Sequence, residues 1–228
     1  MKTVFQSIIF GFLCSHNCFS QRTETIKVRS GEYLSNAISD SGIFRFTSFT
    51  LGMVVKNDST SSSAKFNFNL VTGEMLFINN NGDTIIITNS NEINYIIIGN
   101  VFFYYRNGYK EVVADQDSFK LALDYNFKIG YETVGAYGQP VGAERVYTVP
   151  YVTIYLEPLS VAQNAIVTKT TTYYILNRNE LPQIATKENF LKIFNSKEIA
   201  INEYIKAKHI KFNKLKDLES LFNFCATQ

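Results

Sequence analysis

Apolar and polar positions alternate in short strips along the first three-quarters of the chain. In "KFNFNL", Phe66, Phe68 and Leu70 fall on one side and Asn67 and Asn69 on the other, the period of two of a half-buried antiparallel strand. "EMLFI" (74–78), "DTIIIT" (83–88), "INYIIIG" (93–99), "VFFYY" (101–105) and "YKEVV" (109–113) are strand-length runs rich in β-branched and aromatic residues. Connections of a few residues imply meandering hairpins rather than crossovers. Asn107-Gly108 predicts a type I′ turn, because both of its central residues need positive φ. This strand pattern runs from about Ile43 to Leu176. From Thr186 the period lengthens: Ile201, Tyr204 and Ile205 share one helical face, and Leu215, Leu218 and Phe222 another. Asn195 and Glu198 stand at capping-box spacing, and Pro182 marks the break before the helices. Two or three short helices, charged outside, are expected to dock by apolar stripes onto the sheet.

Two stretches fit neither period. "NDSTSSSA" (57–64) reads as a polar, flexible loop between strands. The segment from Gly130 to Pro150 carries Gly130, Gly135, Gly138 and Gly142 among Tyr131, Tyr137 and Tyr147, a length and composition suited to a contact loop. Tyr131, Tyr137, Gly138 and Tyr147 are therefore candidate partner-binding residues, against the alternative of a hairpin whose glycines only shape the turn.

The N-terminus changes the picture most. Lys2 precedes an apolar run, Thr3 to Leu13, too short to span a bilayer, and Cys18 and Ser20 are small residues at −3 and −1 of a cleavage between Ser20 and Gln21. A signal peptide over 1–20 is expected, followed by an antiparallel β domain over 21–180 and a helical unit over 181–228. Cleavage takes Lys+Arg from 22 to 21 against 20 Asp+Glu, a net charge of +1, so no basic surplus points to nucleic acid. Cys14, Cys18 and His16 leave as well, so Cys225 and His209 remain as the sole cysteine and histidine. An internal disulfide is then excluded, and no cofactor or metal site is expected. No later run of eighteen apolar residues predicts a transmembrane helix.

Catalytic motifs are sparse. The polar knot Asn79-Asn80-Asn81-Gly82-Asp83 fails as a calcium loop, because Gly82 at the sixth position puts Phe77 at the first and Thr88 at the twelfth. A strand reversal with positive φ at Gly82 or an Asn satisfies every residue. His209 sits in "KAKHIKF" with no Gly-x-Ser-x-Gly elbow anywhere, which suits a histidine at a helix C-terminus. Cys225 follows "LFNF" with no cationic neighbour within three residues, as a small buried hydrophobe would. Asp115, Asp117 and Asp124 are the acids that a carboxylate-pair hydrolase could use. "GAYGQPVG" lacks the glycine spacing of a phosphate-binding loop.

The signal ending "CFSQ", the pair "FNFNLVTGEMLFI…GDTI", "INYIIIGNVFFYY", "GAYG" and the ending "ENFLKIF…INEYIKAKHIKF…KDLESLFNF" resemble uncharacterised exported proteins of Bacteroidota. The resemblance implies a periplasmic or outer-membrane-associated location, and carries over no catalytic residue. Asp58-Ser59-Thr60 is similar to the short O-glycosylation sequon of that phylum. The expected fold is α+β: a large antiparallel sheet, in its sharper form a half-barrel, with a C-terminal helical unit packed on it. The expected function is a non-catalytic binding or accessory protein of the cell envelope, holding an apolar ligand or lipid or joining an outer-membrane protein assembly. An envelope hydrolase and a small outer-membrane β-barrel are the alternatives.

Overall fold

Two strands of thirteen residues each, β9 (Phe119–Tyr131) and β13 (Ala165–Asn177), form the axis of the molecule. The computed structural model describes residues 20–33, 38, 40–116, 118–131, 133–134, 140–141, 146–147, 164–177 and 181–226. The other strands are β1 (Gln21–Val28), β2 (Thr50–Lys56), β3 (Ser61–Asn69), β4 (Glu74–Ile78), β5 (Thr84–Ile86), β6 (Ile93–Ile98), β7 (Val101–Tyr105) and β8 (Tyr109–Gln116). Short strands β10 (Thr133–Val134), β11 (Pro140–Val141), β12 (Val146–Tyr147) and β14 (Gln183–Ile184) complete them. The main sheet runs β1-β13-β9-β8-β7-β6-β2-β3-β4-β5, antiparallel at each junction. Three helices follow, α1 (Lys187–Ile193), α2 (Glu198–Lys208) and α3 (Leu215–Ala226). The fold is α+β, a large antiparallel sheet with a C-terminal helical unit.

Alternation along β9 builds the interior. Leu121, Leu123, Tyr125, Phe127 and Ile129 share one face, as do Ala165, Val167, Tyr173 and Ile175 of β13. Phe127, Ile129, Ala165 and Val167 join one buried cluster with Phe66, Phe68, Met75, Ile96 and Phe103 from the far strands of the sheet. Leu121, Leu123, Tyr173 and Ile175 join a second cluster with Phe190, Ile201, Leu218 and Phe222 of the helices. Tyr125 packs against both. The opposite face of β8 and β9 is polar, with Lys110 paired to Asp124 and Lys120 to Asp115.

Several expectations need correction. The stretch 57–64 is a tight turn rather than a loop: β3 starts at Ser61, where Val55↔Ser61 and Val54↔Ser62 extend the hairpin. Asn67 and Asn69 are buried, at 2% and 0% exposure, rather than facing solvent. Asn67 accepts the Phe46 N–H at 3.1 Å and donates to the Phe46 carbonyl at 2.9 Å, and Asn69 Oδ1 accepts the N–H groups of Val71 and Thr72. Their amides hold the Phe46 segment against β3 and close the turn after it, roles that strand periodicity does not encode. The Asn107-Gly108 turn has both positive φ angles, 51° and 98°, but the pair Tyr105↔Tyr109 leaves three residues in it rather than two. The capping box at Asn195 does not form. Asn195 begins a 3₁₀ turn without a side-chain cap, and the hydroxyl that caps a helix is Thr186, which accepts the Asn189 N–H at the start of α1. The knot at 79–83 does reverse the chain: Gly82 has φ of 88°, and Asn79 Oδ1 accepts the N–H groups of Asn81 and Asp83.

Candidate functional site

The turn between β3 and β4 sets a carboxyl into the interior. β4 opens with Glu74, paired in register with Asn69, and runs on through Met75 and Leu76, both buried. Glu74 itself is only 4% exposed, and neither carboxyl oxygen has a hydrogen-bond partner. The Thr72 hydroxyl oxygen is buried and unpartnered as well. Burial pushes the Glu74 carboxyl above the ordinary glutamate range, and the nearby Thr72 hydroxyl offsets only part of that. An unpaired buried polar group costs about 1–3 kcal/mol, so this end of the sheet is held at some expense in stability.

Glu74 and Thr72 line a cavity of about 650 Å³. Its far wall comes from Tyr105 and Tyr109, on either side of the β7–β8 turn, and from Tyr125 and Phe127 of β9. The Tyr105 and Tyr109 rings meet edge to face at 5.1 Å, and the Tyr109 hydroxyl lies 3.2 Å from Ser90 Oγ. β9 and β4 are six places apart in the strand order, so the cavity joins strands that share no ladder. Residues Ile86, Ile87 and Thr88 form one side of it and also one side of a second cavity of about 500 Å³. The second cavity is walled by Val54, Phe66, Phe77, Ile85 and Ile93, with Ser62, Ser63 and Asn79 among its polar residues.

A charged pair stands where the two cores meet. Arg45 donates to both carboxylate oxygens of Glu111, at 2.7 and 2.8 Å, with Glu111 buried on β8. The carboxylate raises the Arg45 pKa further, and burial beside Glu111 pushes the Tyr125 phenol well above its usual range. This bidentate pair satisfies its charges internally and offers no free group to a ligand.

The residues singled out in sequence fall elsewhere. Tyr131 ends β9 and packs against the first core, and Tyr147 lies in β12, paired with Ile129, so residues 130–131 and 146–147 of the expected loop are strand. Tyr137 and Gly138 lie outside the described residues, as do Asp117 and residues 1–19. Ser20 is buried with its carbonyl accepting the Tyr173 N–H at 3.2 Å, and β1 begins at Gln21. Asp115 and Asp124 are each tied to a separate lysine on the polar face. His209 follows α2 in the left-handed conformation, φ 50°, its N–H closing the helix on Ile205 and Lys206. Cys225 is buried and its thiol is pushed up to about 12 by burial, although space brings Lys197, which donates to the Cys225 carbonyl at 2.7 Å. Ser59, at the tip of the β2–β3 turn, is exposed with φ of 68°. Glu74 was not among the sequence candidates. The available signal was an acid heading an otherwise wholly apolar strand, with no alternating polar position to share its face.

Among the described residues no three His, Cys, Asp or Glu side chains gather where they could hold a metal, and no helix is long and apolar enough to cross a membrane. Comparison with family models, with curated proteins and with solved structures finds no match to this chain.

Proposed function

We propose that the chain is an exported, non-catalytic binding protein of the cell envelope whose sheet curls into a half-barrel and cradles a small apolar or amphipathic ligand. The observation that carries this reading is a pair of adjoining cavities, the first walled by strands far apart in the sheet and lined by the buried Glu74. Cavities of several hundred Å³, mostly apolar with a few placed polar groups, are the usual form of small-molecule sites. Export is supported by the charged, apolar and small-residue order of 1–20 and by the start of β1 at Gln21: cleavage after Ser20 leaves the ladder from Gln21↔Thr172 onward intact. The resemblance to exported Bacteroidota proteins points to the periplasm or the outer membrane.

Association with an outer-membrane protein assembly is part of the same reading. Cross-strand pairs Met53↔Ile97, Ile97↔Phe102 and Tyr95↔Tyr104 set an apolar, partly exposed stripe on the sheet, with Phe102 at 40% exposure. Such patches serve protein contacts more often than isolated apolar residues do. A carboxylate-pair hydrolase has less support, because Asp115 and Asp124 are each neutralised by lysine. An outer-membrane barrel has less support too, since its outer wall would be apolar where β8 and β9 carry ion pairs.

The cradle is tested with N-phenyl-1-naphthylamine, a neutral dye that brightens in apolar surroundings. The full chain should brighten it with single-site saturation, and octanol should displace it. Emission no brighter than in buffer would count against the cradle.

A further inference from the structure

We infer that the cavity between β4 and β9 receives the primary ammonium group of a small amphipathic amine, with Glu74 as its counter-ion. The inference rests on the cradle reading above and names its ligand. Glu74 and Thr72 line that cavity; both carboxyl oxygens of Glu74 are buried, and the Thr72 hydroxyl beside them is the one group that favours the charged form. A primary ammonium offers N–H donors and no acceptor, and so matches a buried carboxylate in sign. Buried charges in proteins are paired, and among the described residues no lysine, arginine or histidine lines the cavity. The cations around the cavity are engaged elsewhere: Lys169 stands over the Tyr125 and Phe127 rings at 5.0 and 5.8 Å, Arg106 donates to the Tyr105 carbonyl, and Lys110 is held by Asp124 and the Asn107 carbonyl.

The opposite wall suits a cation as well. Tyr105, Tyr109 and Tyr125 present aromatic rings, whose faces attract ammonium groups. An anionic head would meet Glu74 with no compensating positive charge. The apolar body of the ligand has surface to pack on, because Val71, Ile86, Ile87 and Phe127 line the same cavity.

Titration follows from the lining. Among the described residues, the ionisable groups lining the cavity besides Glu74 are the three tyrosines, with Lys169 packed on the Tyr125 and Phe127 rings; burial keeps the Tyr125 phenol protonated well beyond its usual range. The carboxylate form is the one that pairs with ammonium. Affinity for an amine should therefore fall as pH drops through the raised pKa of Glu74, and fall again as the amine deprotonates above about pH 10.

Calorimetric titration of the full chain with octylammonium, octyltrimethylammonium, octanoate and octanol tests this. Octylammonium should bind about tenfold or more tighter than octanol, the trimethyl form should lose much of that advantage, and octanoate should bind weakest. Glu74→Gln, with its folding checked by circular dichroism, should still bind octanol and lose the preference for ammonium. Octanol binding with no ammonium preference, or a preference that survives Glu74→Gln, overturns the head-group assignment and leaves the cradle standing. No binding of any of the four overturns both.

Discussion

The two ends of β9 face different kinds of interior. At the helical end, Leu121 and Leu123 meet Phe190, Ile201, Leu218, Leu221 and Phe222, every one of these helix residues at 0% exposure, and the cluster is apolar throughout. At the other end, Phe127 and Ile129 share a core with distant strands, and that region also holds Glu74, Thr72 and two cavities. The same strand, with the same alternation, is closed by side-chain packing at one end and left incompletely filled at the other. Close packing maximises stability, whereas unpaired polar atoms and empty volume lower it. The helical end thus holds the fold, and the opposite end carries the cavities in which a ligand is proposed to bind.

The largest effect should come from opening the packed end. Phe222→Ala leaves a void in the centre of the second cluster and should cost about 3–5 kcal/mol in chemical denaturation. A loss below about 1 kcal/mol would mean that the helices are not integral to the fold.

At the boundary, Arg45→Met strands the buried Glu111 carboxylate. Removing one partner of a fully buried pair costs about 3–5 kcal/mol, and Arg45 keeps about a third of its side chain exposed, so a loss of about 2 kcal/mol is expected. An equally stable variant would show that solvent reaches Glu111 and that the two cores are not separated by this pair.

The smallest effect should come from the cavity, and with the opposite sign. Glu74 has its folded pKa raised, so its contribution is fully present below the unfolded glutamate pKa of about 4.3 and is lost as pH rises through the folded value. Glu74→Gln removes that loss. Its melting temperature should match the wild type under acid and exceed it at neutral pH. A neutral variant that melts lower at pH 7 would mean that the carboxylate is satisfied in the folded protein.

These differences bear on what the sequence makes legible. Period-two strips located β4 and β7 at their observed limits, and the longer period from Thr186 located the helices, because burial on one face imposes a local rhythm. β1 escaped notice: in "QRTETIKV" only Ile26 and Val28 reach the core, so its role is backbone pairing with β13, which any side chain allows. The partners of each strand were equally hidden, since β6 pairs with β2 across more than thirty intervening residues through the same backbone bonds that any register would make. The candidate site was less legible still. Tyr131 looked like a loop contact because glycines flank it, yet it completes a strand. Glu74 becomes conspicuous only when folding brings β4 opposite β9 and buries its carboxyl without an ion-pair partner among the described residues.

The contrast between the two ends is tested most directly by hydrogen exchange across the whole chain, with and without saturating N-phenyl-1-naphthylamine. Bound dye should slow exchange at residues 71–74, 86–90 and 105–109 and leave 187–226 unchanged. Protection centred on the helices, or spread evenly along the chain, would contradict the division of the molecule into a packed end and a receiving one.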